Sequence, residues 1–218
     1  MSDDSGDDKP RKIKVTAVGD SGVGKTCMLM TYVNNQYPKE GRVPSLYENN
    51  TVKAGRSESF EVPINIEVDS VSYVLGLTDT IGEDEYRRLR ELFTAGTEVF
   101  LVCFSVTEPE TLENVKKNWL TEIKILSPKG KFILVGTKID RRDDQDILKQ
   151  LKEQNKKVIT TLDGVKIANS VGAKAYVECS AIEQIGLKQV FETVVMVATG
   201  NAEGPKKPNG SKPQCSVS

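Results

Sequence analysis

Two rhythms of apolar and polar positions alternate along this chain. Ile13, Val15, Ala17 and Val18 mark a first strand, and residues 99–104 and 132–137 are near-continuous apolar runs of strand length, as expected of strands covered on both faces. Between and after them the period changes. Leu112, Val115, Trp119, Ile123 and Leu126 recur at helical spacing across 109–126, a stripe that reads as core, with Trp119 as a packing residue. Residues 27–33, 83–93, 161–171 and 185–197 also read as helices, the second on Leu89, Leu92 and Phe93. A charged helix with little apolar face beyond Ile147, Leu148 and Leu151 is predicted over 143–157, and a short strand over 175–179. Residues 51–62 and 64–69 read as strands that pair with 72–77 in an antiparallel meander turning at Asp69 and Ser70, with a polar interruption at 55–59. The alternation predicts a doubly wound α/β fold with its ligand at the carboxyl ends of the strands.

Composition narrows the chemistry. The 218 residues suit one domain, here 12–198, with polar ends: an acidic arm over 1–11 and a Gly-, Pro-, Lys- and Ser-rich tail over 199–218, both read as flexible. A net charge of −1, with both signs mixed, carries no broad footprint for nucleic acid. The four cysteines form no C-x-x-C pair, so they suggest neither a disulfide framework nor a zinc site, and a cytoplasmic chain is expected. There is no histidine, which removes His-based acid/base chemistry and every Ser-His triad. The acidic start and the strand-sized apolar runs predict a chain that is neither secreted nor membrane-spanning.

Residues 19–26, Gly-Asp-Ser-Gly-Val-Gly-Lys-Thr, fit the phosphate-binding pattern G-x-x-x-x-G-K-[ST] between a strand and a helix. In that setting the backbone N–H groups from Gly22, Val23 and Gly24 through Lys25, Thr26 and Cys27 cradle phosphate oxygens, because the first turn of a helix leaves them without partners. Lys25 supplies a point charge to the β and γ phosphates, and the Thr26 hydroxyl is a hard ligand suited to Mg2+. Asp79, at the end of a strand beside this loop, is also well placed for magnesium.

Further segments fall on the ligand side of the sheet: Asp79-Thr80-Ile81-Gly82, Thr137-Lys138-Ile139-Asp140 and Glu178-Cys179-Ser180-Ala181. With the phosphate loop, and in this order, they resemble the Ras-like small GTPases, and the resemblance runs over about 13–197. It implies a G domain built on a mostly parallel six-stranded sheet with helices on both faces, binding GTP or GDP with Mg2+. Asp140 would accept from the guanine N1–H and exocyclic amine, which adenine cannot offer. Lys138 would lie along the base, and Thr137, Ser180 and the Ala181 N–H would complete the base site. Within that superfamily the chain looks like the Rho branch, on Thr137, the helix over 143–157, which would be a Rho-type insert, and phrases such as Val-Pro-Ser-Leu-Tyr-Glu-Asn and Glu-Tyr-Arg-Arg-Leu-Arg. By that resemblance, switch loops over about 37–50 and 79–90 recruit effectors, and an exchange factor, an activating protein and a dissociation inhibitor act on the chain. The Mg2+ ligands would be Thr26 and Ser45, with Asp79 just outside them.

The departures from the family pattern are informative. Ser45 stands for the first-switch Thr, Tyr37 for the Phe beside the guanine, and Gly41-Arg42 for the Tyr that covers the phosphates, which implies faster nucleotide exchange. The segment between Glu48 and Asp69 is longer than the pattern, as an extended meander or an added loop. At the hydrolytic positions Ser21 replaces a glycine, and Asp79-Thr80-Ile81-Gly82-Glu83 replaces D-T-A-G-Q, so Glu83 matches the water-orienting Gln beside Gly82. A carboxylate cannot donate to the γ-phosphate and repels its charge. Weak hydrolysis and a poor response to an activating protein are therefore expected, unless Arg42 compensates. Cys215-Ser216-Val217-Ser218 fits the C-a-a-X prenylation pattern loosely, and its terminal Ser favours farnesyl. Lys206, Lys207 and Lys212 form a modest basic spacer, and the chain is expected in the cytoplasm and on the cytoplasmic face of membranes. The expected activity is a small GTPase signalling to actin organisation. The alternatives are a binding module held in its GTP form and, requiring Asp140 and Ala181 to be coincidental, an ATPase or small-molecule kinase.

Overall fold

Strand β4 (Val99–Ser105) is buried at every position, and the computed structural model of the chain, which describes residues 9–38 and 61–205, gives the reason. The strand lies in the middle of a six-stranded sheet, with Val99, Leu101 and Cys103 facing one core and Phe100, Val102 and Phe104 the other. The remaining strands are β1 (Arg11–Val18), β2 (Val62–Val68), β3 (Val71–Thr78), β5 (Lys131–Thr137) and β6 (Ala175–Glu178), in the order β2-β3-β1-β4-β5-β6. The β2/β3 pair is antiparallel and the other four pairs are parallel, with helices on both faces, so the expected mostly parallel six-stranded sheet is the one observed.

On one face α1 (Lys25–Asn34) and α7 (Leu187–Thr199) close a core in which Tyr32 stacks on Phe191 with ring centroids 3.8 Å apart. On the other face lie α3 (Pro109–Asn114), α4 (Leu120–Leu126) and α6 (Thr161–Val171). Between α3 and α4 the chain runs through a π-helical turn, Val115–Trp119, so the continuous stripe expected over 109–126 carries a wider turn in its middle. The ends of α6 follow local rules: Thr160 and Asp163 form a reciprocal capping box, and Gly172 closes the helix at φ 77°.

Several boundaries differ from expectation for identifiable reasons. A break between strands at Pro63 does not occur; β2 runs through it, paired with Gly76, because β2 is the edge strand among the described residues and an edge position spares the missing N–H. The turn at Asp69 and Ser70 is as expected, both residues at positive φ (50° and 62°), the hand that suits a tight hairpin. The helix expected over 83–93 opens as a 3-10 turn, Asp84–Tyr86, and continues as α2 (Arg87–Thr94). The charged helix expected over 143–157 is the shorter α5 (Gln145–Glu153), started by the Asp144 carboxylate, which accepts from the Asp146 and Ile147 N–H groups. Strand β1 takes in Arg11, which pairs with Tyr73 and bonds Glu98 at 2.9 Å. The rest of the acidic arm before Lys9, the first-switch residues after Pro38, the interruption at 55–59 and the tail after Pro205 lie outside the described residues.

The two-sided core ranks the costs of substitution. Phe191→Ala removes a fully buried ring and is expected to cost about 3–5 kcal/mol, whereas Thr160→Ala removes one cap of α6 and costs about 1 kcal/mol, as read from urea denaturation midpoints.

Candidate functional site

The strands β1, β3, β4 and β5 end on one side, and the predicted motifs meet there. Residues 19–24 turn from β1 into α1. At Gly19 (φ 142°) a β-carbon would fall 2.2 Å from the carbonyl oxygen of Cys103, so the loop lies directly on β4 and admits no side chain. Gly24 caps α1 at φ 101° without any side-chain cap, which leaves the first-turn N–H groups for an anion. Lys25 is only 5% exposed, and its Nζ donates to the carbonyls of Gly19 and Asp20, both at 2.7 Å. Burial lowers its pKa, while Asp79, Asp20 and Glu83 nearby favour the ammonium. Of three ammonium donors, two hold the loop, and a third remains for a phosphate.

The Thr26 hydroxyl donates to Asp79 Oδ2 at 2.5 Å, and the Thr80 N–H donates to Oδ1 at 3.1 Å. Burial pushes the Asp79 carboxyl above the usual range, against the Thr26 hydrogen bond and the Lys25 charge. Among the described residues no group of three or more His, Cys, Asp or Glu could form an all-protein metal cage. A hydroxyl and a carboxylate beside a phosphate cradle instead suit Mg2+, which keeps waters and binds through one or two protein oxygens plus phosphate. Ser45, expected as the other ligand, lies outside the described residues.

Next to the loop an open cleft of about 430 Å³ is lined by Gly22, Gly24, Tyr37, Lys138, Asp140 and Ala181 among others. The Tyr37 hydroxyl points to Cys27 Sγ at 3.9 Å. The Thr137 hydroxyl sits 2.5 Å from the Val23 carbonyl and 2.9 Å from that of Phe104, which locks the end of β5 to the phosphate loop. Lys138, at φ 60°, pairs with Glu108 at 2.6 Å across the cleft margin. Ser180 is fully buried; its hydroxyl accepts from the Glu183 N–H and so shapes the loop that presents Ala181. Behind that loop Glu178 accepts from both terminal nitrogens of Arg142 and from Thr161 and Tyr176. Burial pushes the Cys103 thiol up to about 12 and raises Cys179 as well, so neither is a nucleophile near neutral pH.

The residues expected to act in hydrolysis also meet. Ser21 Oγ donates to Glu83 Oε1 at 2.8 Å, and this bond is the first cause of a carboxyl pKa below the usual range. Gly82 lies on the loop so closely that a β-carbon there would be 2.3 Å from the Ser21 nitrogen. Sequence reasoning missed what holds this segment. Arg90, 1% exposed, donates through Nη1 to the carbonyls of Ile81 (3.0 Å) and Glu83 (2.6 Å) and through Nε and Nη2 to Glu122. Trp119 packs in the core as expected, but its indole N–H also donates to Asp20 Oδ1 at 2.7 Å. The charge pattern of 87–90 carried no signal that one arginine of three would be buried.

The family model described as Ras family matches residues 14–199. The chain belongs to the Ras family. Its fold is accordingly a small-GTPase G domain, and its general function is that of a GTP-binding switch. Gly22 and Gly24 of the phosphate loop, Thr137, Lys138, Asp140 and Ala181 line the open cleft, and Asp79 adjoins the loop through the Thr26 hydroxyl.

Asp140→Ala tests the guanine contact expected at the cleft: with two charge-assisted bonds lost, GDP affinity measured by calorimetry is expected to fall by about 3–6 kcal/mol, with no gain for ADP. The Ser21–Glu83 bond depends on pH with a definite sign. Because the folded-state pKa of Glu83 is depressed, the bond's contribution is full above the ordinary carboxylate range and is lost as pH falls through the lowered value. Ser21→Ala should raise the Glu83 carboxyl toward its ordinary value in a carbon-detected NMR titration; an unmoved titration would contradict that cause.

Proposed function

We propose that this chain is a Rho-type guanine-nucleotide switch whose GTP form persists because hydrolysis is slow. The observation that carries the reading is the Ser21–Glu83 hydrogen bond, since it engages the carboxylate where the family pattern has a water-orienting amide. A carboxylate turned to Ser21 is not directed at a water, and it cannot donate to the γ-phosphate. Ile81, 41% exposed at the same turn, adds apolar bulk where the pattern has Ala. GTP or GDP would be held by Gly22 to Cys27, Thr137, Lys138, Asp140, Ser180 and Ala181, with Tyr37 at the base. Mg2+ would be held by Thr26 and Ser45, with Asp79 just outside. Effectors would engage about 37–50 and 79–90, and an exchange factor, an activating protein and a dissociation inhibitor would act as on Rho-type relatives, in actin organisation.

The phrases of Rho type in the sequence and the presence of a charged helix, α5, between Asp140 and β6 support that branch. No helix among the described residues is long and apolar enough to cross a membrane. Attachment to the cytoplasmic face of a membrane falls in this reading to a prenyl group on Cys215, with Lys206, Lys207 and Lys212 beside it. One lipid chain anchors only marginally, so the attachment is reversible.

The engaged Glu83 also favours a second reading, a binding module held in its GTP form and controlled by abundance, exchange or lipidation. Single-turnover hydrolysis of GTP on the purified chain with Mg2+ separates the two from each other and from an ordinary cycling switch. The parent is expected to hydrolyse at least about tenfold more slowly than Ser21→Gly/Glu83→Gln, within the range seen when one positioned donor is lost. Equal rates would overturn the slow-hydrolysis reading, and a parent with no turnover at all would select the GTP-held module.

A further inference from the structure

Glu108 opens helix α3 without capping it. As the N-cap residue it makes no side-chain bond to the first turn, and glutamate is not among the residues that cap well. Its backbone is nonetheless held: the N–H donates to the Ser105 carbonyl at 3.1 Å, and the carbonyl accepts from the Thr111 N–H at 2.9 Å and the Thr111 hydroxyl at 2.6 Å. The carboxylate is left to reach another segment, and its Oε1 accepts from Lys138 Nζ at 2.6 Å. The register of the sheet brings the two together. Ser105 and Thr137 are partners where β4 and β5 end side by side, and the Val106 N–H donates to the Thr137 carbonyl at 3.1 Å, so residues 106–108 and Lys138 leave the sheet as neighbours. Lys156, just past α5, pairs with Glu110 at 3.1 Å, so the two carboxylates at the start of α3 serve two different lysines.

The pairing matters because of where Lys138 stands. Its φ of 60° is a conformation costly for any residue with a β-carbon, and such residues gather where a site imposes them, ligand clamps included. It lines the open cleft together with Asp140, Gly24 and Ala181. A lysine stem is flexible and apolar, and tethering its ammonium leaves that stem as a fixed strip against which a flat ring can lie. We infer that Glu108 is a positioning residue of the base subsite: it holds the Lys138 ammonium at the margin of the cleft, keeps the stem against a bound guanine and so slows release of the nucleotide. The inference rests on the guanine-nucleotide reading. An ion pair as exposed as this one, 26% and 39% for the two side chains, contributes little to folding. Its effect is order at the cleft, and the same exposure leaves it open to screening by salt.

The test times release of methylanthraniloyl-GDP from the full chain, with Mg2+ present and excess unlabelled GDP as the chase, in the parent, Glu108→Gln, Lys138→Met and the double variant. Glu108→Gln is expected to release about two- to fivefold faster than the parent, the range an exposed ion pair supports, with its thermal midpoint unchanged. In the Lys138→Met background the same substitution changes nothing, because no ammonium is left to position. Raising KCl accelerates release from the parent and narrows its gap to Glu108→Gln. This salt comparison needs no change at Lys138, so it decides the matter even where Lys138→Met holds GDP too briefly to be timed. Equal release from the parent and Glu108→Gln overturns the assignment alone, as does an acceleration that persists in the Lys138→Met background or a gap that salt does not narrow. A folded parent that retains no guanine nucleotide overturns the nucleotide reading together with the assignment.

Discussion

The carbonyl oxygen of Cys103 leaves no room for a side chain at residue 19, and the geometry of the whole site depends on that contact. A loop pressed onto the middle strand of the sheet must turn over its carboxyl edge, where β3 delivers Asp79 and β5 delivers Thr137. The Thr137 hydroxyl reaches the Val23 carbonyl and the Thr26 hydroxyl reaches Asp79, so neutral donors fasten the loop to β5 on one side and to the end of β3 on the other. Neutral fasteners matter here. A cation in either place would compete with Lys25 for an incoming phosphate, and a further carboxylate would repel it.

How much of this was legible depended on whether a residue's role is set by its neighbours in sequence or in space. Strand β4 and helix α6 could be read almost to the residue, because a continuous apolar run and helical spacing are local signals. The phosphate loop was legible because its backbone shape tolerates few residue types at a fixed spacing, and Asp140, predicted on the ligand side of the sheet, lines the cleft beside it. Strand β2 was broken wrongly at Pro63 because edge position is a property of the sheet, which no window of the sequence contains. Arg90 reads as one charge in the run Arg87-Arg88-Leu89-Arg90; only the approach of Glu122 from another helix makes its burial tolerable. Trp119 was placed correctly in the core, but its N–H finds Asp20 through a π-helical turn that no periodicity announces.

The segment around Gly82, which lies against the phosphate loop, is held from two sides by contacts of different stiffness. Ser21 and Glu83 are exposed, and water competes for both ends of their hydrogen bond. Arg90 is buried with Glu122, and separating a buried charge from its partner costs about 3–5 kcal/mol. A soft link absorbs a displacement, and a stiff one passes it on. The Ser21–Glu83 bond is the weaker of the two holds, and the buried one fixes the Ile81 and Glu83 carbonyls. In the slow-hydrolysis proposal the same asymmetry has a use: the carboxylate on the exposed side faces Ser21 and not a water, while the buried side keeps the segment assembled.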